Sequence, residues 1–470
     1  MDPARARSRA SDAPTVLFIC HNHPAVRPGG AEAYALELHR HLSEGDEFES
    51  VFLAKGGPPL SPAGRPHLGT YVSLVGERSD EYFLYTDGYD YDWVLGTIRH
   101  SKELYTKHLR AFLQALQPDL VHLHHTMFFG YDVLREIRTT LPHAPIVYTL
   151  HEFMPICHRQ GQMVRTLDDE PCLEESPRRC HECFPEISPQ TFFMRKRFIQ
   201  SHLSLVDLFI APSSFLRDRY VDWGIPPERI VVEEYGRTPP EGAVLDADRP
   251  VRNRFGYFGQ LTPYKGLHVA LEAMRHLSTD RVYDDPLLRA LESAAGRPSG
   301  VPGDGDEDAA MQGPELRVHG ANLDLQPGQF QNQVNALFEE LRDAVHFVGR
   351  YDHTQMAGLM ANVDWVIVPS IWWENSPLVI QEAFHFGRPV ICSDIGGMAE
   401  KVAHGVNGLH FRAGDPVSLA RTMRTALESP GLWDELRAGI SPVYRMADHV
   451  AALSTVYSAL LTREVIAHAV

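Results

Sequence analysis

The sequence predicts an α/β protein built from two doubly wound, mostly parallel-sheet domains that face each other across a cleft. Three observations carry that prediction. Short apolar strand-like runs alternate with helical patterns over most of the chain. The alternation starts twice, at Val16 and again at Arg254. Each start runs into a glycine-containing turn, Gly29-Gly30 in the first half and Gly259 to Gly266 in the second, and strand, glycine turn, helix is how a phosphate-binding unit begins.

Length and composition agree. A chain of 470 residues exceeds one ordinary core, so two domains plus extensions are expected. Hydrophobic residues at 44% and charged ones at 22% are ordinary for a globular protein, which confines disorder to local segments. A net charge of −17 argues against a nucleic-acid partner, which needs a basic stripe. No apolar run reaches the length of a membrane span. Residues 1–13 are rich in Ala, Arg and Ser without an apolar centre, so they read as a disordered tail and not a secretory signal, and a cytoplasmic location is expected.

The elements follow in order. Strand Val16 to Cys20 passes through His21-Asn22-His23-Pro24 to the glycine turn, after which Tyr34, Leu38 and Leu42 recur at helical spacing. Strand-like runs follow at Val51-Ala54, Leu120-Leu123, Ile146-Leu150, Leu208-Ala211 and Ile230-Val232, with a helical pattern from Lys102 to Leu116. Between Glu81 and Trp93 lies an aromatic, acidic stretch expected to be a loop packed on the sheet rim. His122, His124 and His125 suggest a metal comb, but strand alternation sends His125 to the opposite face from the other two. The pattern breaks after Arg237, and the domain boundary is placed at 242/243, giving domains 14–242 and 243–445. The second unit opens at the stretch Arg254 to Gly259 and continues with helix Lys265 to Leu277, strand Leu316 to Val318, helix Phe330 to Leu341 and strand Val345 to Val348. Residues 293–313, rich in Gly, Pro, Asp and Ala, form a flexible insertion. Residues 446–470 form a C-terminal helix that packs on the domains.

Val366 to Gly397 is the stretch richest in chemistry. An apolar strand, Trp365 to Val368, feeds a polar loop, and a helix is expected with Ser376 as N-cap and Pro377 at its first position. Glu374 precedes that start and Glu382 lies within the helix. The N–H groups of a helix start hold an anion at Asn375, Ser376 and Leu378, while carboxylates on either side grip hydroxyls. That combination suits a sugar nucleotide. Gln260 and Lys265 in the earlier glycine turn add a cradle for a diphosphate.

Cys157, Cys172, Cys180 and Cys183 give C-x14-C-x7-C-x2-C within the segment 157–183. Structural zinc is the first reading of that spacing, free buried cysteines the second and an iron–sulfur cluster the third. The role is structural in each case, at the loop that follows His151.

Glu374-x7-Glu382, with Val-Pro-Ser before it, Gly387 to Gly397 after it and Glu400 to Gly408 beyond, resembles glycosyltransferase family 4, the retaining nucleotide-sugar enzymes of GT-B fold with two Rossmann-like domains. Gly29 to Glu32, His151, Ala211-Pro212-Ser213 and Gly259 to Gly266 fall in the family's order, so the resemblance covers nearly the whole chain apart from the insertion and the cysteine segment. It implies that Lys265 pairs with the donor diphosphate, Glu382 accepts from the ribose and Glu374 holds hydroxyls of the transferred sugar. Backbone N–H groups after Asn375 and at Gly29-Gly30 face phosphates, and His151 touches the donor sugar, with His151, Glu374 and Lys265 as the catalytic set. The leaving diphosphate is stabilised without a catalytic metal. The family usually has arginine where Gln260 stands, and Arg237, Arg254 or Arg350 is the expected substitute. The implied partners are a nucleoside-diphosphate sugar and a carbohydrate or lipid-linked acceptor, the latter needing peripheral contact with the inner membrane face. A glycoside phosphorylase on the same fold and a non-catalytic nucleotide-sugar-binding or assembly protein are the alternatives.

Overall fold

The computed structural model describes residues 13–26, 29–56, 72–76, 78–85, 91–92, 94–98, 104–238, 251–279 and 313–462. All but Ala13 of the expected tail, the 242/243 boundary, all but Gly313 of the insertion and everything after Thr462 lie outside these residues. The chain divides into two compact units, residues 1–238 with 444–470 and residues 239–443.

The first unit carries β1 (Thr15–Cys20), β2 (Glu49–Gly56), β3 (Val72–Leu74), β4 (Glu81–Tyr85), a small hairpin of β5 (Tyr91–Asp92) and β6 (Thr97–Ile98), then β7 (Leu120–Leu123), β8 (Ile146–Thr149), β9 (Leu208–Ala211) and β10 (Ile230–Val232). The main sheet has the order β10-β9-β8-β7-β1-β2-β4-β3, parallel except for the β3–β4 pair. Strands β1, β7, β8 and β9 are buried on both faces, which is why they read as apolar runs without alternation. Helix α1 (Gly30–Leu42) buries the stripe Tyr34, Leu38 and Leu42. The pattern from Lys102 is realised as a π-helical turn, Leu104–Leu109, followed by an α-helix, Arg110–Leu116.

Glu81–Tyr85 corrects the expected loop. It is a strand paired in parallel with β2, and the Glu81 carboxylate is buried because His23 (3.1 Å), Arg40 (3.0 Å) and Arg78 (2.7 Å) surround it. An acidic residue reads as loop until the partners that come from distant parts of the sequence, here His23 and Arg40, are known.

The C-terminal helix, Met446–Thr462, belongs to the first unit. Tyr457 Oη is 2.6 Å from His122 Nδ1, and His449 Nε2 is 2.6 Å from Tyr34 Oη, all four residues being buried. Tyr457→Phe removes the hydrogen bond that Tyr457 makes to a buried imidazole. Equilibrium unfolding in denaturant is expected to show a loss of about 1–3 kcal/mol with an unchanged m-value.

The second unit carries β11 (Arg254–Phe258), β12 (Glu315–His319), β13 (Val345–Gly349), β14 (Trp365–Val368), β15 (Val390–Ser393) and β16 (Gly408–Phe411), all parallel, in the order β13-β12-β11-β14-β15-β16. Counted within the unit this is 3-2-1-4-5-6, the doubly wound order. Alternate side chains feed opposite faces. Trp365 and Ile367 join the core under helices Leu267–Thr279 and Pro416–Glu428, while Val366 and Val368 join the one under Leu378–His385. Among the described residues no helix is long and apolar enough to cross a membrane.

Candidate functional site

In a doubly wound sheet the ligand crevice lies outside the strand ends where the order reverses. In the second unit that point falls between β11 and β14. The turn Gly259–Gly266 leaves β11 and the loop Pro369–Pro377 leaves β14, and Ile371 N–H donates to Tyr264 O at 2.9 Å to join them. Gly266 has φ +68° and its α-carbon lies against Pro369 O, so no side chain fits there.

The join brings together two residues 109 positions apart. Lys265 Nζ lies 2.6 Å from Glu374 Oε1, and the same oxygen accepts from Ser370 Oγ at 2.7 Å and Trp372 Nε1 at 2.8 Å. Burial raises the Glu374 pKa, but the Lys265 charge and these hydrogen bonds outweigh it and leave the carboxyl below its ordinary range. Glu374 is therefore an ionised carboxylate only 8% exposed, held through one oxygen, while Oε2 takes no hydrogen bond from the described residues. Tyr264 stacks on Trp372 with ring centroids 6.0 Å apart, and Lys265 lies over the same indole.

The helix that follows starts later than the sequence suggests. It spans Leu378–His385 with Pro377 as N-cap and no side-chain cap, and Ser376 Oγ is buried without a partner. The cause is distant: Gly397 N–H donates to Glu374 O at 2.7 Å and its α-carbon presses on Asn375 O, which holds Asn375-Ser376 in an irregular turn. The first N–H groups of the helix are left without a capping side chain beside Ser376. Ser393, at the end of β15, also has a buried, unpartnered hydroxyl. Glu382 is half-buried on the helix and close enough to Tyr351 to help raise the phenol, whose larger cause is burial.

Gln260 is exposed, and its side chain is not part of this join. Of its expected substitutes, Arg254 opens β11 and pairs with Glu315 at 3.7 Å, so it stands at the opposite end of the strand, roughly 13 Å from Phe258 at about 3.3 Å per residue. Arg237 belongs to the first unit and pairs with Glu37 at 3.1 Å. Arg350, exposed just after β13, remains at the right edge.

In the first unit the order reverses between β1 and β7. Gly29 precedes α1, but the Glu32 carboxylate packs against it and pairs with His21 Nε2 at 3.0 Å. Burial raises Glu32, and bonds from His21 and Asn22 and from its own N–H more than reverse that, so the turn already carries a negative charge. Such a charge disfavours a phosphate at Gly29-Gly30 and favours a neutral, hydroxyl-bearing ligand.

His151 follows β8. Its Nδ1 is 2.6 Å from Tyr235 Oη and its Nε2 is 3.2 Å from His124 Nδ1. Burial, then the neighbouring His124 and His21, hold its pKa well below the ordinary value, so it is neutral near pH 7. His122 and His124 share a face, with ring centroids 4.3 Å apart, and His125 turns the other way to meet Glu152 at 3.4 Å, as strand alternation requires. A cavity of about 820 Å³ lies at the other edge of this sheet, beside residues that precede β7, β8 and β9 such as Asp119, Pro145 and Asp207, away from the histidines.

The four cysteines come from three pieces of the segment. Cys157 lies in the turn after β8, Cys172 in a hairpin closed by Cys172 N–H to Met163 O at 2.7 Å, and Cys180 and Cys183 on helix Pro177–Cys183. None is in a disulfide. Burial pushes the Cys157 thiol to about 11 and the Cys180 thiol to about 12. The expected closed tetrahedron is not drawn together: among the described residues the group of three or more ligand atoms lying within 4.8 Å of one another is His39, Asp80 and Glu81. That group is an ion-pair network with Arg40 and Arg78, whose charges exclude a cation.

Sequence reasoning missed Ser370, Trp372 and Tyr235. The first two sit within four residues of Glu374 and donate to its Oε1. Tyr235, 84 positions from His151, gave no signal.

Comparison with known proteins agrees with both folds. The family described as Glycosyl transferases group 1 matches residues 311–441, and Glycosyltransferase Family 4 matches residues 28–233. D-inositol 3-phosphate glycosyltransferase of Thermobispora bispora is 23% identical over 98% of this chain and 97% of its own. Glycogen synthase of Mycobacterium tuberculosis is 37% identical over 87 residues, 18% of this chain, and the match spans only 21% of that enzyme's length. The crystal structure of Anabaena HepE with UDP and glucose has the same fold, with a TM-score of 0.57 at 17% identity over 95% of this chain and all of that one. With both halves matched in order, and with the doubly wound sheet of each unit in place, the chain belongs to the group 1 and family 4 glycosyltransferases of GT-B fold.

Proposed function

We propose that the protein is a retaining glycosyltransferase that moves a sugar from a nucleoside-diphosphate sugar to a glycan, lipid-linked or small-molecule acceptor. The observation that carries this reading is Glu374, an ionised and nearly buried carboxylate fixed by Lys265, Ser370 and Trp372 through one oxygen, with the other left for hydroxyls. Lys265 has further N–H donors for a diphosphate, and the uncapped helix start at Asn375, Ser376 and Leu378 supports the same charge. Glu382 grips the ribose. Gly29 and Gly30 take part through a hydroxyl-bearing ligand, since Glu32 already occupies their turn, and His151 contributes to the donor sugar as a neutral imidazole. Gln260 supplies no charge, so Arg350 is the second cation in this reading. Transfer uses no catalytic metal, and a structural zinc ion on Cys157, Cys172, Cys180 and Cys183 stands apart from the reacting atoms. The enzyme works in the cytoplasm, at the membrane face when the acceptor is lipid-linked.

A thermal-shift screen with UDP-, GDP-, ADP- and dTDP-sugars tests the reading, beginning with UDP, which HepE binds. One nucleotide sugar should raise the melting temperature and be turned over with retention of configuration. Phosphate-dependent cleavage would assign a phosphorylase instead, and binding without turnover an assembly protein. Within the site, Glu382→Ala should weaken nucleotide binding by roughly 1.5–3 kcal/mol through loss of a charge-assisted hydrogen bond. Calorimetric titration with the nucleotide alone checks this, and an unchanged affinity would remove Glu382 from the ribose.

A further inference from the structure

The segment between β8 and helix Pro189–Leu203 buries Phe153, Ile156, Met163 and Val164 in its first part, but no residue from Arg165 to Ser188. Its helix Pro177–Cys183 buries no residue, and Leu167 and Leu173 are 62% and 58% exposed. Such a segment needs a different source of order. One end has a visible one: the buried guanidinium of Arg195 donates to the carbonyls of Met154 (2.7 Å), Pro155 (2.8 Å) and Ile156 (3.3 Å). This clamp fixes the stretch that joins His151 to Cys157. Beyond Cys157 the chain runs out through the hairpin and back through the short helix.

All four thiols line one cavity of about 230 Å³, and three arginines, Arg159, Arg165 and Arg179, line it with them. A turn, a hairpin and a helix thus each present sulfur to the same space, with Cys180 and Cys183 about one turn apart on the helix. Four thiolates around a divalent zinc ion carry a net double negative charge; Arg179 lines the space, while Arg159 and Arg165 are paired with Asp169 (3.3 Å) and Asp168 (3.2 Å). The thiols stand around the cavity and do not meet across it. Zinc–sulfur bonds of about 2.3 Å would draw them inward into that space.

We infer that these four cysteines close on one zinc ion, and that the resulting staple holds residues 157–183 against the Arg195 clamp and so fixes the loop that carries His151 and Glu152. Binding replaces four S–H bonds by four Zn–S bonds and releases the protons to solvent, so no oxidant or reductant is needed. The inference depends on the cysteines alone and is independent of the transferase reading.

The test uses the full chain, dialysed against zinc chloride and then against metal-free buffer, with zinc and iron measured by mass spectrometry. The expected result is one zinc per chain. The double variant C180S/C183S should hold less than a tenth of that. Stripping the wild-type protein with a thiol-specific mercurial should release zinc and speed proteolytic cutting between residues 157 and 183 at least tenfold, with cutting elsewhere unchanged. Wild-type protein without stoichiometric zinc, a brown protein holding iron, or zinc retained by the double variant would overturn the inference. Because wild-type metal content decides the first point, the conclusion does not depend on the variant folding.

Discussion

Lys265→Met should lower kcat/KM for sugar transfer by about 10²- to 10³-fold, the loss expected when one preorganised group facing a developing anion is removed. The variant keeps most of the apolar side chain but loses the charge 2.6 Å from Glu374 Oε1. Two consequences follow. The leaving diphosphate loses a cation, and the nearly buried Glu374 loses its ion-pair partner. Breaking a buried pair costs roughly 3–5 kcal/mol, but the Lys265 side chain is 31% exposed, so solvent screening keeps the stability cost well below that range. The pH profile separates the two effects. In the wild type the Glu374 carboxyl is depressed, so its stabilising contribution is complete above the ordinary carboxylate range and is lost as pH falls through the depressed value. In the variant burial acts against only the Ser370 and Trp372 bonds, so the carboxyl rises and the acid limb of the rate profile moves to higher pH. A large rate loss with an unmoved acid limb would mean that Lys265 serves the diphosphate and leaves Glu374 untouched.

Gly397→Ala should abolish measurable transfer and destabilise the protein by about 1–3 kcal/mol, the range for forcing a methyl group into a filled space. An added methyl would overlap Asn375 O, and Glu374 O stands beside it. The loop cannot yield without lengthening the Gly397 N–H to Glu374 O bond that sets the turn at Asn375-Ser376. Because that turn delays the helix start to Leu378, the substitution disturbs the carboxylate, Ser376 and the uncapped N–H groups together. Nucleotide titration and denaturant unfolding on the same preparation check it. Wild-type affinity in a destabilised variant would confine the role of Gly397 to stability.

What the sequence could reveal followed the range of its forces. Strands β7, β9 and β14 match their expected spans because strands in a covered parallel sheet must be apolar on both faces, which is a local signal. Lys265 and Glu374 were each legible from their turns, but the 2.6 Å contact between them depends on β11 and β14 being neighbours across the reversal of strand order. Ser376 fails as an N-cap for a related reason. Capping is read from adjacent residues, and the contact that overrides it comes from Gly397. Glu81 reads as loop until His23 and Arg40 are brought around it. The thiols could be counted but not placed, since their convergence depends on three separate backbone pieces.

The path of the backbone at Arg237 carries one more implication. There the chain leaves the first unit, and it returns at Tyr444, with Arg237 N–H donating to Tyr444 O at 3.1 Å and Met446 N–H to Arg237 O at 3.0 Å. The whole second unit is thus spliced into the first as an insert between two adjacent points. During synthesis the ribosome must make all of residues 239–443 before it delivers Tyr457 and His449, the partners that His122 and Tyr34 await. The unit whose translation begins first is therefore completed after the one spliced into it, and the nascent protein carries a half-built histidine core until helix Met446–Thr462 emerges.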